Sequence, residues 1–371
     1  MKRIVCVILV FVLVSVFSVY ASAEDCSAAA AAVIGGRTRE LLWGKNQDTE
    51  LPMASTTKIM TALILCEEDN LEREIIVTPE MVAVEGSSMG LLPGDRVTLR
   101  DLLYGMMLAS GNDAANTVAV TLGGSVSGFV EKMNERAKQL GLTHTHFETP
   151  SGLDSVGHYT TAYELAVIAA NALENEDFAA AASSKTATLC YGNPPYKRTL
   201  SNHNRLLKMY DDVVGVKTGF TKKSGRCLVS AAKSDGKTVI AVTLNDPDDW
   251  SDHRRLLDLG LSRLESVSLV PKGIVKTVRV IGGEKNAIEI DCPDISICTA
   301  SPDTVFCDSV IVPFVFAPIE KGDEIGFVRF MKDGKLVYKE PVTAAENTKA
   351  AKVSSSSLFV TLFKNILCAL V

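Results

Sequence analysis

The chain has 371 residues, 47% of them hydrophobic and 22% charged, which suits two ordinary folded domains and argues against global disorder. Its formal net charge is −6 and no block of Lys and Arg stands out, which argues against nucleic acid as a partner.

The first segment reads as a targeting signal. Lys2 and Arg3 form a basic end, Ile4 to Tyr20 is an almost unbroken apolar run, and Ala21-Ser22-Ala23 supplies small residues for cleavage. The run is a little short for a bilayer-spanning helix, so residues 1–23 are expected to be a cleaved signal peptide. Removing Lys2 and Arg3 leaves 36 basic against 44 acidic residues, a net charge near −8. Export permits disulfides without requiring them. No CxxC spacing occurs; a bridge among Cys292, Cys298 and Cys307 and buried thiols are both open readings. The five histidines complete no zinc pattern with the cysteines, and His144 and His146 read as surface residues. No metal and no cofactor is expected.

From Ala28 to about Glu265, helices and strands mix. "TTKIMTALILCEE" has helical periodicity. "LRDLLYGMMLASGNDAANTVAV" reads as a helix, a Ser-Gly-Asn break and a second helix. "GFVEKMNERAKQLGL" is amphipathic and stops at Gly141; "TTAYELAVIAANAL" is a helix capped by Thr160 or Thr161. "RCLVSAAKSDGKTVIAVTL" predicts two strands joined at Asp235-Gly236. "SDHRRLLDLGLSRLE" closes the segment as a helix.

After Val267 the pattern alternates apolar and polar, in "KTVRVIGG", "AIEIDC", "VIVPFVF" and "EIGFVRFMKDGKLVYKEPV", with a second hairpin signal at Asp333-Gly334. This predicts a small all-β domain. A polar linker, "AAENTKAAKVSSSS", leads to "LFVTLFKNILCALV". On a helix Thr361, Lys364, Asn365 and Cys368 share one face, and Phe359, Leu362, Phe363, Ile366, Leu367 and Leu370 fill the other. At ~1.5 Å per residue it reaches only about 21 Å, so it is expected to lie in the plane of a membrane surface. The predicted domains are thus 1–23 signal, 24–266 catalytic, 267–345 β-rich, and 346–371 linker and anchor.

Chemistry concentrates in three short stretches. In "LPMASTTKIMTALI", Ser55 and Lys58 stand at i and i+3 and share a helix face. A serine hydroxyl needs a base to become a nucleophile, and Lys58 can be that base only if it is neutral. Burial beside Ile59 and Met60 lowers its pKa, and a second nearby cation lowers it further. "ASGND" supplies Ser110 and Asn112 between two helical segments. "GVKTGFT" supplies Lys217 as the second cation, Thr218 as a hydroxyl for an anionic group, and Gly219 for close backbone approach. Together they form the Ser-x-x-Lys, Ser-x-Asn, Lys-Thr-Gly set of penicillin-interacting serine enzymes.

With these stretches in place, the chain from about Ala28 to Val342 resembles the low-molecular-mass penicillin-binding proteins that are serine-type D-alanyl-D-alanine carboxypeptidases. "LPGDRVTLRDLLYGMMLASGNDAAN" and "VVGVKTGFTKKSGRCLVSAA" carry the likeness most specifically. The resemblance implies an α/β (α+β) catalytic domain with an antiparallel sheet flanked by helices, a small all-β C-terminal domain and an amphipathic anchor. It implies Ser55 as the acylated nucleophile, Lys58 as its base, and Ser110 as the relay to the leaving D-alanine. It further implies Asn112 on the substrate amide, Lys217 as positive potential, Thr218 with Thr221 on the terminal carboxylate, and the backbone amides of Ser55 and Phe220 as the oxyanion hole. Partners would be peptidoglycan stem peptides and, as covalent inhibitors, β-lactams, on the outer face of the bacterial cytoplasmic membrane.

One feature departs from the family. Its members often carry a carboxylate-binding arginine shortly before the last catalytic-domain helix. Here that region reads "NDPDDWSDHRR", with Arg254 and Arg255 only inside the helix, and the arginine has no assignment. A β-lactamase is the competing enzyme class, but no Glu-x-x-Leu-Asn loop lies between Ser110 and Lys217 to supply a deacylation base. A non-catalytic wall-binding protein is the third class, and intact Ser55 and Lys58 speak against it.

Overall fold

The structure is a computed structural model that describes residues 25–269, 271, 275–292 and 296–351. The expected signal peptide and anchor helix lie outside the described residues. The chain divides into two units, Met1–Arg263 and Leu264–Val371.

The first unit is built on an antiparallel five-stranded sheet. Strands β1 (Ala30–Gly35) and β2 (Leu41–Lys45) come first, then β3 (Glu74–Ile76) and β4 (Arg96–Thr98), which belong to a second sheet with β5 (Thr186–Gly192) and β6 (Pro195–Ser201). Strands β7 (Val213–Thr221), β8 (Gly225–Ser234) and β9 (Lys237–Leu244) complete the main sheet in the order β2-β1-β9-β8-β7, so β7 is an edge. Ser234 pairs with Lys237 across Asp235 and Gly236, both at positive φ (51° and 75°), the two-residue turn expected from Asp-Gly.

Besides a single turn at Leu206–Met209, the helices of this unit are α1 (Lys58–Cys66), α2 (Leu99–Leu108), α3 (Asn112–Gly123), α4 (Val126–Gln139), α5 (Ala162–Ala172), α6 (Glu176–Ser183) and α7 (Asp249–Arg263). Alternation along β8 assigns its faces. Cys227, Val229 and Ala231 enter the main core with residues of α1 to α6. Ser230, on the opposite face, reaches His253 of α7. The sheet therefore has helices on both sides. Between the two candidate caps of α5, Thr161 accepts from Glu164 N, while Thr160 is committed to Thr145 and to a bridge with Leu51.

The second unit is all β among its described residues, apart from a short 3-10 turn. A two-stranded sheet joins β10 (Glu265–Ser268) to β13 (Ser296–Thr299). The six-stranded sheet runs β14-β16-β17-β12-β11-β15. Its strands are β11 (Thr277–Ile281), β12 (Ala287–Asp291), β14 (Val305–Ile311), β15 (Phe314–Phe316), β16 (Glu324–Lys332) and β17 (Lys335–Ala344). Val278, Val280, Ile288, Val328, Phe330 and Val342 form its core. The Asp333-Gly334 turn joins β16 to β17, as expected. Cys292, Cys298 and Cys307 form no disulfide, which resolves the open reading of that cluster.

Candidate active site

Ser55 occupies a 3-10 turn, Ala54–Thr57, that runs directly into α1. Three residues make one turn there, so Ser55 and Lys58 still share a face. Ala54 is held at φ 49°, a left-handed conformation that a non-glycine residue keeps only when its surroundings enforce it. They do. Thr57 Oγ1 donates to Ala54 O at 2.8 Å and lies 2.7 Å from His158 Nε2. Gly152 packs so closely that a Cβ there would stand 1.9 Å from the Ala54 carbonyl oxygen. On the other side, a Cβ at Gly219 would stand 3.0 Å from the Ser55 amide nitrogen, so β7 approaches the Ser55 backbone as the sequence predicts.

Lys58 is fully buried. Burial first, then the Lys217 cation, hold its pKa well below the usual lysine value; Asp113 opposes weakly. A neutral amine has two hydrogens and one lone pair. Asn112 Oδ1 at 2.7 Å and Ser151 O at 2.8 Å are both acceptors and take the two hydrogens. The remaining direction meets Ser55 Oγ at 3.0 Å. Asn112 Nδ2 donates to Glu85 O at 2.7 Å, which determines that the oxygen end of the amide faces Lys58.

Ser110 lies between α2 and α3 at φ 57°, another enforced left-handed residue. Its hydroxyl accepts from Lys217 Nζ at 3.0 Å, and Lys217 also donates to Thr218 O at 2.8 Å. Burial lowers the Lys217 pKa to about 7. Asp113 sits beside this break, and the sequence pattern alone gives it no role. Its carboxylate collects the amides of Met89, Gly90 and Leu91 and the Ser88 hydroxyl, strapping the 85–91 segment against Asn112. A carboxylate at the first turn of α3 was the only signal for it.

Ser55, Lys58, Ser110, Asn112 and Lys217 are therefore brought together, with Gly219 against the turn. Thr218 and Phe220 follow on the same edge strand, and Phe220 is exposed. Thr221 is placed differently. Its Oγ1 lies 2.9 Å from both Asp154 Oδ1 and Ser224 Oγ, and Ser224 N donates to it at 2.9 Å. Arg254 is taken by Asp212 and Asp258, and Arg255 by Asp252.

A serine turn, a buried lysine whose pKa burial holds low and a second lysine under an edge strand define a serine hydrolase of the penicillin-interacting class. A family profile described as D-alanyl-D-alanine carboxypeptidase matches residues 17–248, and one described as penicillin-binding protein 5, C-terminal domain, matches residues 264–350. The chain belongs to the D-alanyl-D-alanine carboxypeptidase family. It is 33% identical to the D-alanyl-D-alanine carboxypeptidase DacF of Bacillus subtilis (strain 168), over 95% of this chain and 96% of that one. The crystal structure of the Streptomyces K15 DD-transpeptidase is similar with a TM-score of 0.62 at 34% identity, covering 64% of this chain and 98% of that one. The D-alanyl-D-alanine carboxypeptidase DacD of Francisella tularensis is similar with a TM-score of 0.63 at 26% identity, over 89% of this chain and 95% of that one. The resemblance read from the sequence is thus borne out, as are the α+β catalytic fold and the β-rich C-terminal domain.

Proposed function

We propose that the protein removes the terminal D-alanine from peptidoglycan stem pentapeptides through an acyl-enzyme on Ser55, and that β-lactams trap the same ester. The observation that carries this reading is the Lys58 amine, with two carbonyl acceptors on its hydrogens and Ser55 Oγ in its third direction.

Lys58 takes the Ser55 proton as Oγ attacks the carbonyl carbon of the penultimate D-alanine. The oxyanion forms against the amides of Ser55 and Phe220. As the C–N bond breaks, Ser110 passes a proton to the departing D-alanine nitrogen, under the field of Lys217. Asn112 has one amide end on Lys58 and the other on Glu85 O in the free protein, so holding the substrate amide requires it to exchange a partner. Thr218 meets the terminal carboxylate. Thr221 supports the neighbouring hairpin through Asp154 and Ser224. Water then cleaves the ester and regenerates Ser55.

We place this activity outside the cytoplasmic membrane, in peptidoglycan synthesis and remodelling, with residues 1–23 as the export signal and Phe359–Leu370 as an in-plane anchor. The amphipathic periodicity of that tail supports the anchor. No helix among the described residues is long and apolar enough to cross a membrane.

Purified protein incubated with a D-Ala-D-Ala pentapeptide should release D-alanine, and penicillin should add one drug mass to the peptide containing Ser55. Label on another residue would overturn the nucleophile. Rapid penicillin turnover without D-alanine release would favour the β-lactamase reading.

A further inference from the structure

We propose that His158 is a positioning residue for acylation: through Thr57 it orients the Ala54–Ser55 peptide so that the Ser55 amide points into the oxyanion hole. This rests on the carboxypeptidase reading above, which gives that amide its task.

Hydrogen counting fixes the direction of the relay. The Glu148 amide donates to His158 Nδ1 at 3.0 Å. A backbone N–H can only donate, so Nδ1 offers its lone pair and the proton of the neutral ring sits on Nε2. Burial first, then His146, lowers the His158 pKa to about 4, so the ring is neutral at neutral pH. Nε2 stands 2.7 Å from Thr57 Oγ1, which therefore accepts from it. The one hydroxyl hydrogen of Thr57 is left for Ala54 O, at 2.8 Å. Donation thus runs one way, from Glu148 N through the imidazole and the hydroxyl to the Ala54 carbonyl.

Peptide planarity carries that direction to the nucleophile. Ala54 O and Ser55 N belong to one trans peptide group, so a carbonyl held on one side aims the N–H at the other. A Cβ at Gly152 would stand 1.9 Å from Ala54 O, and one at Gly219 would stand 3.0 Å from Ser55 N. The carbonyl therefore faces the 150s loop, and the amide faces β7, the strand that carries Phe220. A hydrogen bond to the carbonyl also polarises the peptide and strengthens its N–H as a donor. Ala54 keeps its left-handed φ of 49° under the same constraint.

Burial leaves the relay no slack. His158 is 3% exposed and Thr57 1%. The Phe147 ring meets the imidazole edge to face, with centroids 5.9 Å apart. Among the described residues no hydrogen bond joins His158 to Ser55 or Lys58, so its influence passes through Thr57.

The test resolves penicillin acylation of Ser55 into initial binding, Kd, and the chemical step, k2, and records the carbonyl stretch of the resulting ester by isotope-edited infrared spectroscopy. His158→Phe keeps a ring in the pocket and removes both nitrogens. It should lower k2 about 30-fold at unchanged Kd and raise the ester carbonyl frequency, as a misaimed oxyanion donor does. His158→Gln retains an N–H for Thr57 Oγ1 and should bring k2 back to within about 3-fold of wild type. Thr57→Val should match His158→Phe, and the double variant should be no slower than either, because both changes cut the same chain. Since k2 is first-order, it reports only the folded molecules that acylate, so a loss of folded protein does not imitate the effect. Wild-type k2 in His158→Phe, equal losses in His158→Phe and His158→Gln, or additive losses in the double variant overturn the inference and leave the carboxypeptidase reading intact. A wild-type protein that penicillin does not acylate at Ser55 overturns that reading, and this inference with it.

Discussion

Lys58 Nζ stands 2.7 Å from Asn112 Oδ1, and the two residues are separated by 54 positions in the chain. The contact joins the Ser-x-x-Lys turn to the Ser-x-Asn break through one hydrogen bond to a neutral acceptor. A neutral acceptor matters, because a carboxylate there would favour the ammonium form and remove the base. Asn112→Asp should therefore lower the rate of penicillin acylation at neutral pH by about 100-fold or more, with partial recovery as pH rises. Stopped acylation time courses followed by intact mass measure this. Full activity in the variant would mean that Lys58 works as a cation.

The same reasoning applies to the base itself. Lys58→Arg keeps charge and approximate length, but arginine does not lose its proton in this range. We expect nearly complete loss of acylation on Ser55. Circular dichroism and thermal melting should show a folded protein, since a buried guanidinium can still meet Asn112 Oδ1 and Ser151 O.

The pH profile has a defined sign on each limb. With Lys58 as the proposed base, acylation needs its neutral form, so kcat/KM should rise with pH through a pKa held well below the ordinary lysine value. Lys217 is useful to an anionic substrate only while protonated, and burial places its pKa at about 7. Activity on the free acid should fall above that point. The two buried amines interact, so the limbs belong to the pair. Lys217→Arg should flatten the alkaline limb while lowering the maximum; an unchanged alkaline limb would assign it to another group.

Gly152 offers a backbone test. A methyl group there would meet the Ala54 carbonyl oxygen at 1.9 Å, and Gly152 is also at φ +87°. Gly152→Ala must displace the Ser55 turn or its own loop. The expected cost is about 1–3 kcal/mol in chemical denaturation, together with a larger proportional loss in acylation rate. Unaltered acylation would show that the 150s loop does not hold the nucleophile in place.

The tail can be tested by truncation after Val353. Each fully buried Leu, Ile or Phe contributes roughly 1.5–3 kcal/mol, so the six on the apolar face outweigh the ~1 kcal/mol that Lys364 gains from anionic lipid. Truncated protein should be released from membranes and still cleave a small peptide. High salt alone should not release the full-length chain. Release by salt would overturn the hydrophobic anchor.

Much of this protein was legible from the chain alone, for local reasons. Ser55 and Lys58 share a face because one turn of any helix brings i and i+3 together, whether the turn is α or 3-10. Asp-Gly pairs specify their hairpins because both residues accept positive φ, as at Asp235-Gly236. The amphipathic helices and the alternating strands after Val267 announce themselves by period. Strand β1 does not: "AAAVIG" is buried at every position and so has no alternation to read. The β5–β6 hairpin escaped as well, although Ala187, Leu189 and Tyr191 alternate on the core side of β5, because β6 is largely exposed and polar. Long-range relationships lay wholly with the tertiary structure. No spacing rule joins Ser151 O to Lys58, Asp113 to the 85–91 segment, or Asp154 to Thr221. Nor does any spacing rule put Arg226 of β8 on the same sheet face as Thr218 of β7; register does, because it, and not sequence distance, decides which side chains share a side of a sheet.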